Sequence, residues 1–149
     1  MSASKLVNNE RVVDTIVYVA DYAHIAANAT DANQVTIGTI PAGGAVLNAF
    51  AYETTALAGA SDITLDLGTT GADPDEFINA WDADAGTPAY NTGDQFTAGT
   101  AESDSGLSQP VKFVTADTPI LAEWNGTVAS LTAGKVVVVV EVLNPGKFA

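Results

Sequence analysis

The stretch GKVVVVVEVL, residues 134–143, holds five consecutive valines and decides the fold class. Valine favours strands because its branched Cβ fits a pleated surface. Successive side chains of a strand point to opposite faces, so a strand with one face in water alternates polar and apolar residues. Residues 136–140 do not alternate. We therefore predict a strand that is covered on both of its faces.

Shorter strand-like segments precede this one along the chain. Residues 11–19, RVVDTIVYV, are also apolar on both faces, whereas residues 61–67, SDITLDL, alternate with Ile63, Leu65 and Leu67 on one face. The 13 glycines and turn sequences such as PAGG at 41–44 are typical of short strands joined by tight turns. The predicted fold class is all-β, a jelly-roll-like β-sandwich of about eight strands with one short helical turn.

The short helical turn is predicted in DPDEFINAWDAD, residues 73–84. Asp73 could cap the turn, and Pro74 suits the first helical position. Phe77, Ile78 and Trp81 would share one face of it. We therefore expect these three apolar side chains to pin the turn to the sandwich.

A hairpin that leads into the valine strand is predicted in PILAEWNGTVASL, residues 119–131. Asn125-Gly126 stands between two strand-like runs, which is a strong signal for a two-residue hairpin turn. The next residues, TAG, would return the chain into the valine strand. One face of this three-stranded arrangement gathers residues that we predict to be covered by a neighbouring subunit or by a long loop of the same chain. They are Leu121, Val128, Val136, Val138 and Val140.

Length and composition predict one acidic globular domain. The 149 residues suit a single domain over residues 11–149, with residues 1–10 as a flexible polar arm. Apolar residues make up 47% of the chain and the formal net charge is −13, which disfavours binding to nucleic acid and to anionic membranes. We also expect no membrane span, because no stretch reaches the ~20 apolar residues that one needs. A secretory signal peptide is not expected at the start of the chain.

The sequence offers little catalytic chemistry. His24 is the only histidine, there is no cysteine, and no nucleotide-binding or zinc-protease motif occurs. The run DADAG at 82–86 begins like a calcium loop and could combine with Asp73, Asp75 and Glu76, but a third regular ligand and the terminal glutamate are missing. We therefore predict no enzymatic activity, no metal site and no cofactor.

Two long segments resemble a family of tailed-bacteriophage virion structural proteins. They are TIGTIPAGGAVLNAFAYETTALAGASDITLDLGTTGADPDEFINAWDADAGTPAY, residues 36–90, and PILAEWNGTVASLTAGKVVVVVEVL, residues 119–143. The resemblance covers most of residues 35–143 and cannot be followed through residues 91–109. It implies a small β-sandwich protein similar to capsid decoration, or cement, proteins. It carries no catalytic residues.

The resemblance implies a protein that binds the outside of a phage capsid, as a homotrimer, and stabilises or decorates the shell. The expected partners are the major capsid protein and further copies of the chain, and the expected location is the virion surface after assembly in the host cytoplasm. The few basic residues, among them Lys5, Arg11 and Lys112, are predicted to supplement apolar contacts with the shell. The alternative is a carbohydrate-binding β-sandwich module of a tail or fibre, which would present Trp81, Tyr90 and Trp124 to a glycan.

Overall fold

The computed structural model describes residues 12–28, 34–72, 74–97 and 112–148. These residues contain eight strands and two short α-helices. The strands are β1 (Val13–Asp21), β2 (Gln34–Ile40), β3 (Ala45–Ala58), β4 (Thr64–Gly68), β5 (Ile78–Asp82), β6 (Ala89–Tyr90), β7 (Thr118–Asn125) and β8 (Ala133–Leu143). The helices are α1 (Tyr22–Ala27) and α2 (Asp94–Thr97), and both are too short to cross a membrane, as are all helices in the described ranges.

The strands form two four-stranded antiparallel sheets with the order of a jelly roll. Sheet A runs β1-β8-β3-β6 and sheet B runs β2-β7-β4-β5. The chain pairs β4 with β5, β3 with β6, β2 with β7 and β1 with β8, so that each pair encloses the previous one along the sequence. Successive pairs belong alternately to sheet B and sheet A. This is the arrangement that results when one long antiparallel hairpin wraps into a double-sheet sandwich. The predicted fold class is confirmed.

The valine strand lies in the middle of sheet A, between β1 and β3. Val136, Val138 and Val140 are 0% exposed and face the interior of the sandwich. Trp124, also 0% exposed, faces the same core from β7 in sheet B. Burial of three such valines contributes roughly 5 kcal/mol at about 1.5 kcal/mol or more per side chain. The inner face of β8 is therefore covered by the other sheet of the same chain.

Residues 74–82 do not form the predicted helical turn. They pass through irregular backbone into strand β5, which pairs with β4 so that Ile78 lies opposite Leu67 and Trp81 opposite Leu65. Two residues on β5, Asn79 and Ala80, thus lie opposite the single residue Asp66 on β4, which is a β-bulge, and Ala80 has a left-handed φ of 44° there. The bulge explains the error, because the extra residue gives inward side chains a helix-like spacing. The predicted burial of this segment is confirmed, since Ile78 is 0% and Trp81 7% exposed.

Residues 126–132 do not form the returning strand of the predicted hairpin. Both edges of β7 are already paired, with β2 on one side and β4 on the other. The chain instead forms a 3-10 helix over Val128–Ser130 and crosses to sheet A. Thr127 ties this crossing to the β3–β4 connection, because its hydroxyl donates to the carbonyl of Ser61 at 2.9 Å and accepts from the Ser61 amide at 3.1 Å. Val128 is 1% exposed and fills the end of the core.

Helix α1 closes one end of the sandwich and was not predicted from the sequence. Asp21, the last residue of β1, caps it by accepting a hydrogen bond from the amide of His24 at 2.9 Å. Ile25 is the buried residue of the helix, at 0% exposure, and packs into the core. Six residues are too few for a clear amphipathic period, which is why the sequence pattern gave no signal.

Candidate interaction surface

The outer face of sheet A carries a continuous row of apolar side chains across all four strands. In one cross-strand row Val17, Val139, Phe50 and Tyr90 stand side by side in register. In the next row Val19, Val137 and Tyr52 do the same. We call these seven residues the apolar band. Cross-strand neighbours of this kind stabilise a sheet, but they also leave apolar area facing outward.

The exposed fractions show how much of the apolar band reaches solvent. Val17 is 58% exposed, Val19 54% and Tyr90 63%. Val137 is only 9% exposed, because it stands in the central strand between Val19 and Tyr52. The band therefore has a covered centre on β8 and open flanks on β1 and β6. Scattered exposed valines need no explanation, whereas a contiguous set across a sheet is typical of a contact surface.

Polar rows border the apolar band on both sides. Toward one end, Thr15, Glu141 and Asn48 stand in register, and the Asn48 side-chain amide donates to a Glu141 carboxylate oxygen at 2.6 Å. Toward the other end, Lys135 lies between Asp21 and Thr55. The apolar band thus lies between the carboxylate of Glu141 and the ammonium group of Lys135, which both belong to β8.

Tyr90 is held over the band by a local network at the edge of sheet A. Its ring centroid lies 6.3 Å from that of Phe50, and its hydroxyl donates to the side-chain oxygen of Asn48 at 3.0 Å. Asn91, at a left-handed φ of 48°, accepts from the amide of Ala49 at 2.7 Å and donates to Asn48 at 3.1 Å. These bonds fix the short strand β6 to β3, and Tyr90 is therefore an anchored aromatic side chain despite its exposure.

A shallow open depression of about 530 Å³ adjoins Tyr90. Its walls are the side of the apolar band formed by Phe50 and Tyr52, together with Pro88 and Tyr90. The lining is almost entirely apolar, so the depression can accept an apolar or aromatic group but offers little hydrogen bonding to hold a polar ligand.

The structure places four predicted interface residues inside the sandwich. They are Val128, Val136, Val138 and Val140, all at most 1% exposed. A neighbouring subunit cannot cover side chains that sheet B of the same chain already covers. These four residues therefore belong to the core of the sandwich and not to a contact with a neighbouring subunit, as was predicted. The interior takes the even-numbered valines, and the outer face carries Val137 and Val139.

The remaining predicted interface residues are not part of the apolar band. Leu121 is half-buried on the outer side of β7, in sheet B, with its neighbours in sequence facing the core. Lys5 and Arg11 lie outside the described residues. The structure therefore does not bring the predicted set together on one surface.

Two of the carboxylates that could have formed a calcium loop, Glu76 and Asp84, bind neighbouring backbone and hydroxyl groups. Glu76 accepts hydrogen bonds from the hydroxyls of Thr69 and Thr70 at 2.7 Å each and from the Thr69 amide at 2.7 Å. Partial burial acts to raise the pKa of Glu76, but the bonds from Thr70 and Thr69 outweigh it and lower the pKa from its ordinary value. Asp84 accepts from the amide of Ile63 at 3.0 Å. Asp73 lies outside the described residues, and those residues contain no group of acids placed to hold a metal ion.

His24 belongs to a polar contact between α1 and the core. Its Nε2 lies 2.9 Å from the hydroxyl of Tyr18, which also accepts a hydrogen bond from the Trp124 indole at 3.3 Å. Burial raises the pKa of Tyr18, even though the bond from Trp124 acts to lower it. The arrangement gives the buried indole N–H a partner and orients His24 along the sandwich end.

Two of the three aromatic residues considered for glycan binding are not available at the surface. Trp124 is 0% exposed, and Trp81 is 7% exposed with its indole donating to the carbonyl of Thr87 at 2.6 Å. Tyr90 alone is open to solvent. Its aromatic companions at the surface, Phe50 and Tyr52, come from β3 and were not singled out from the sequence. The signal that could have found them is the run of residues on β3 that is apolar on both faces.

The architecture defines the class first: an eight-stranded jelly roll, an arrangement that recurs in viral capsid domains. No family model matches the sequence, and no curated protein is significantly similar to it. Among solved structures, a chain of the cyanophage Pam1 capsid asymmetric unit has a TM-score of 0.58 at 20% identity, covering 89% of this chain and 85% of that chain. A chain of the acidic stable capsid structure of Helicobacter pylori bacteriophage KHP30 has a TM-score of 0.53 at 10% identity, covering 91% and 90%. The chain thus shares its fold with chains of phage capsids.

Proposed function

We propose that the chain is a non-enzymatic virion structural protein that binds the outside of a phage capsid and stabilises or decorates it. It acts there as a homo-oligomer, and its partners are the major capsid protein and further copies of itself. It assembles on the shell in the host cytoplasm. The number of copies expected from the sequence resemblance is three.

The observation that carries this proposal is the likeness of the whole fold to chains of two phage capsids. The likeness spans about nine-tenths of this chain in both comparisons. The apolar band adds physical support, because a small acidic subunit with an uncovered apolar sheet face is suited to contact with other proteins. The seven side chains of the band carry no charge, so the band itself adds nothing to the repulsion that a net charge of −13 produces.

The proposal is tested on virions. Purified particles from cells that encode the chain should contain it as a stoichiometric component, and electron cryomicroscopy should show density for it on the capsid exterior. Particles that lack it should take up the recombinant protein and then resist heating better than untreated particles. Absence from the particles would contradict the virion role, and density confined to the tail would contradict the capsid location.

The basic residues outside the described ranges are tested separately. A variant without residues 1–11, which removes Lys5 and Arg11, should bind undecorated capsids more weakly because it loses two of the five cationic side chains. The matched control replaces Lys5 and Arg11 with glutamine in the full-length chain. Equal binding by all three proteins would remove the arm from the mechanism.

Glycan binding is a second candidate, for which the depression beside Tyr90 supplies a stacking surface but little hydrogen bonding. Phe50, Tyr52 and Tyr90 give it aromatic walls against which a sugar ring could stack. Binding to a glycan array that is lost in Tyr90→Ala would support this reading. Binding of the parent to capsids but to no glycan would reject it.

A further inference from the structure

We infer that the outer face of sheet A is the contact surface for a second copy of this chain, with the two apolar bands packed face to face and their β8 strands antiparallel. The inference rests on the proposed function only in assuming an oligomeric subunit. It replaces the expected trimer contact with a pair, and it names the residues that form it.

Charge decides between the two symmetric ways of packing the faces. Lys135 and Glu141 lie on the outer face of β8 at equal distances from Val138, about 20 Å apart at ~3.4 Å per residue. If the two β8 strands run parallel, Lys135 meets Lys135 and Glu141 meets Glu141 of the second copy. If they run antiparallel, each Lys135 meets a Glu141. Like charges across an interface oppose binding, so the antiparallel pair is favoured.

The antiparallel pair also matches the apolar residues. A two-fold axis in the interface plane, perpendicular to β8, superimposes each strand on its own copy with its direction reversed. Val137 then meets Val139 of the second copy, and Val17 on β1 meets Val19. Tyr52 on β3 meets Phe50 in the same way. Six of the seven positions of the band thus find an apolar position of the band opposite, and Asp21 finds the neutral Thr15.

The side chains at the ends of the band are suited to the pairing. Glu141 is held in place by the Asn48 side-chain amide at 2.6 Å, so its carboxylate is already oriented before a second copy arrives. Lys135 is exposed, and among the described residues its ammonium group forms no ion pair. A carboxylate from a second copy would supply that partner.

The available area fits a reversible pair. Three strands spaced by about 4.8 Å, with nine residues of about 3.3 Å each, and the two-residue strand β6 give a face of roughly 460 Å². Two copies would therefore bury roughly 900 Å² in total, which is below the range of stable specific interfaces and within that of weak, transient ones. The central rows are apolar and the bordering rows polar, which is the usual arrangement of core and rim. We expect association that depends on protein concentration.

The test is sedimentation velocity of the full chain over a range of concentrations. The parent should pass from one-chain to two-chain mass. Val17→Lys should raise the dissociation constant by about 100-fold, because each pair loses two buried valines worth about tenfold each. Phe113→Lys is the matched control, since Phe113 is also 58% exposed but lies outside the band. It should leave the dissociation constant unchanged.

A charge exchange tests the antiparallel orientation. Lys135→Glu alone should weaken association about tenfold or more, because it sets like charges against each other at both ends of the pair. Adding Glu141→Lys to it should recover most of that loss. A single variant that associates like the parent, or a double variant without recovery, would overturn the orientation.

Capsid binding separates this inference from the proposed function. If the parent forms pairs and monomeric Val17→Lys still binds undecorated capsids, both stand. If the parent is monomeric at every concentration, or sediments as three chains, the pair is refuted while the proposed binding to the capsid is untouched. If the parent is monomeric and Val17→Lys loses capsid binding, the band is a capsid contact and the inference is wrong.

Discussion

The placement of Val138 and Val17 on opposite faces of sheet A predicts opposite responses to the same substitution. Threonine has nearly the shape of valine, so Val→Thr exchanges a methyl for a hydroxyl without opening a cavity. Val138 is 0% exposed and lies between Tyr18 on β1 and Ala51 on β3. A buried hydroxyl at position 138 loses its hydrogen bonds to water without a protein group placed to replace them, which costs about 1–3 kcal/mol. At Val17, which is 58% exposed, the change should stay within about 0.5 kcal/mol.

Urea unfolding monitored by tryptophan fluorescence measures both variants, because Trp124 and Trp81 are buried and report loss of the core. With a urea dependence of roughly 2 kcal/mol per molar, Val138→Thr should lower the midpoint by roughly 0.5–1.5 M. Val17→Thr should leave the midpoint within about 0.25 M of the parent. The protein concentration is kept below that of any association. An unchanged midpoint for Val138→Thr, or equal losses in the two variants, would show that the faces of β8 are assigned wrongly.

Three further predictions concern single positions. Gly126→Ala should lower the free energy of unfolding by roughly 1–3 kcal/mol in chemical denaturation, because Gly126 has a φ of 96° and a Cβ there would overlap the backbone of Asp62. Glu76→Gln should destabilise the protein at about pH 7 and less at about pH 3, since the stabilisation from ionised Glu76 is complete above its ordinary pKa and is lost as the pH falls through the lowered pKa. An equal loss at both pH values would show that packing, not charge, is responsible. Trp124→Phe should cost about 1 kcal/mol or more in thermal unfolding because Tyr18 loses a hydrogen-bond donor, and full stability would contradict that role.

The sequence predicts the fold class well because jelly-roll strands are short, apolar and separated by clear turn residues. The alternation in SDITLDL correctly places Ile63, Leu65 and Leu67 in the core, where all three are 0% exposed. Periodicity of this kind depends only on each strand's own environment. This periodicity can therefore be recognised without knowing which strands are neighbours.

Strand pairing is where prediction from the sequence fails, because pairing depends on contacts between distant segments. The chain bends at Gly126, which has a positive φ of 96°. The chain beyond it cannot pair back onto β7, however, since β2 and β4 occupy both edges. Similarly, the bulge at Ala80 gives β5 the spacing of a helical face. Local patterns cannot distinguish these outcomes from the ones predicted.

The residues of the apolar band were not predicted from the sequence. Five consecutive valines indicated two covered faces, and the choice between them depended on the register of β8. A strand period of two means that an error of one residue exchanges the faces completely. The register is fixed by pairing with β1 and β3, for example Val138 with Tyr18 and with Ala51. Neither neighbour can be identified from β8 itself.

The fold alone does not require valines on the outer face of β8. Threonine or lysine at Val137 and Val139 would keep the strand and its inner core, and would also protect sheet A, whose edge strand β1 exposes Val17 and Val19 without a lysine or proline in Val13–Asp21. In an acidic chain that could easily place charge there, an apolar band bounded by Lys135 and Glu141 is instead what an antiparallel contact between two copies needs. The inner valines hold the sandwich together, and the outer valines are free to serve association. Substitutions on the two faces should therefore separate folding from assembly.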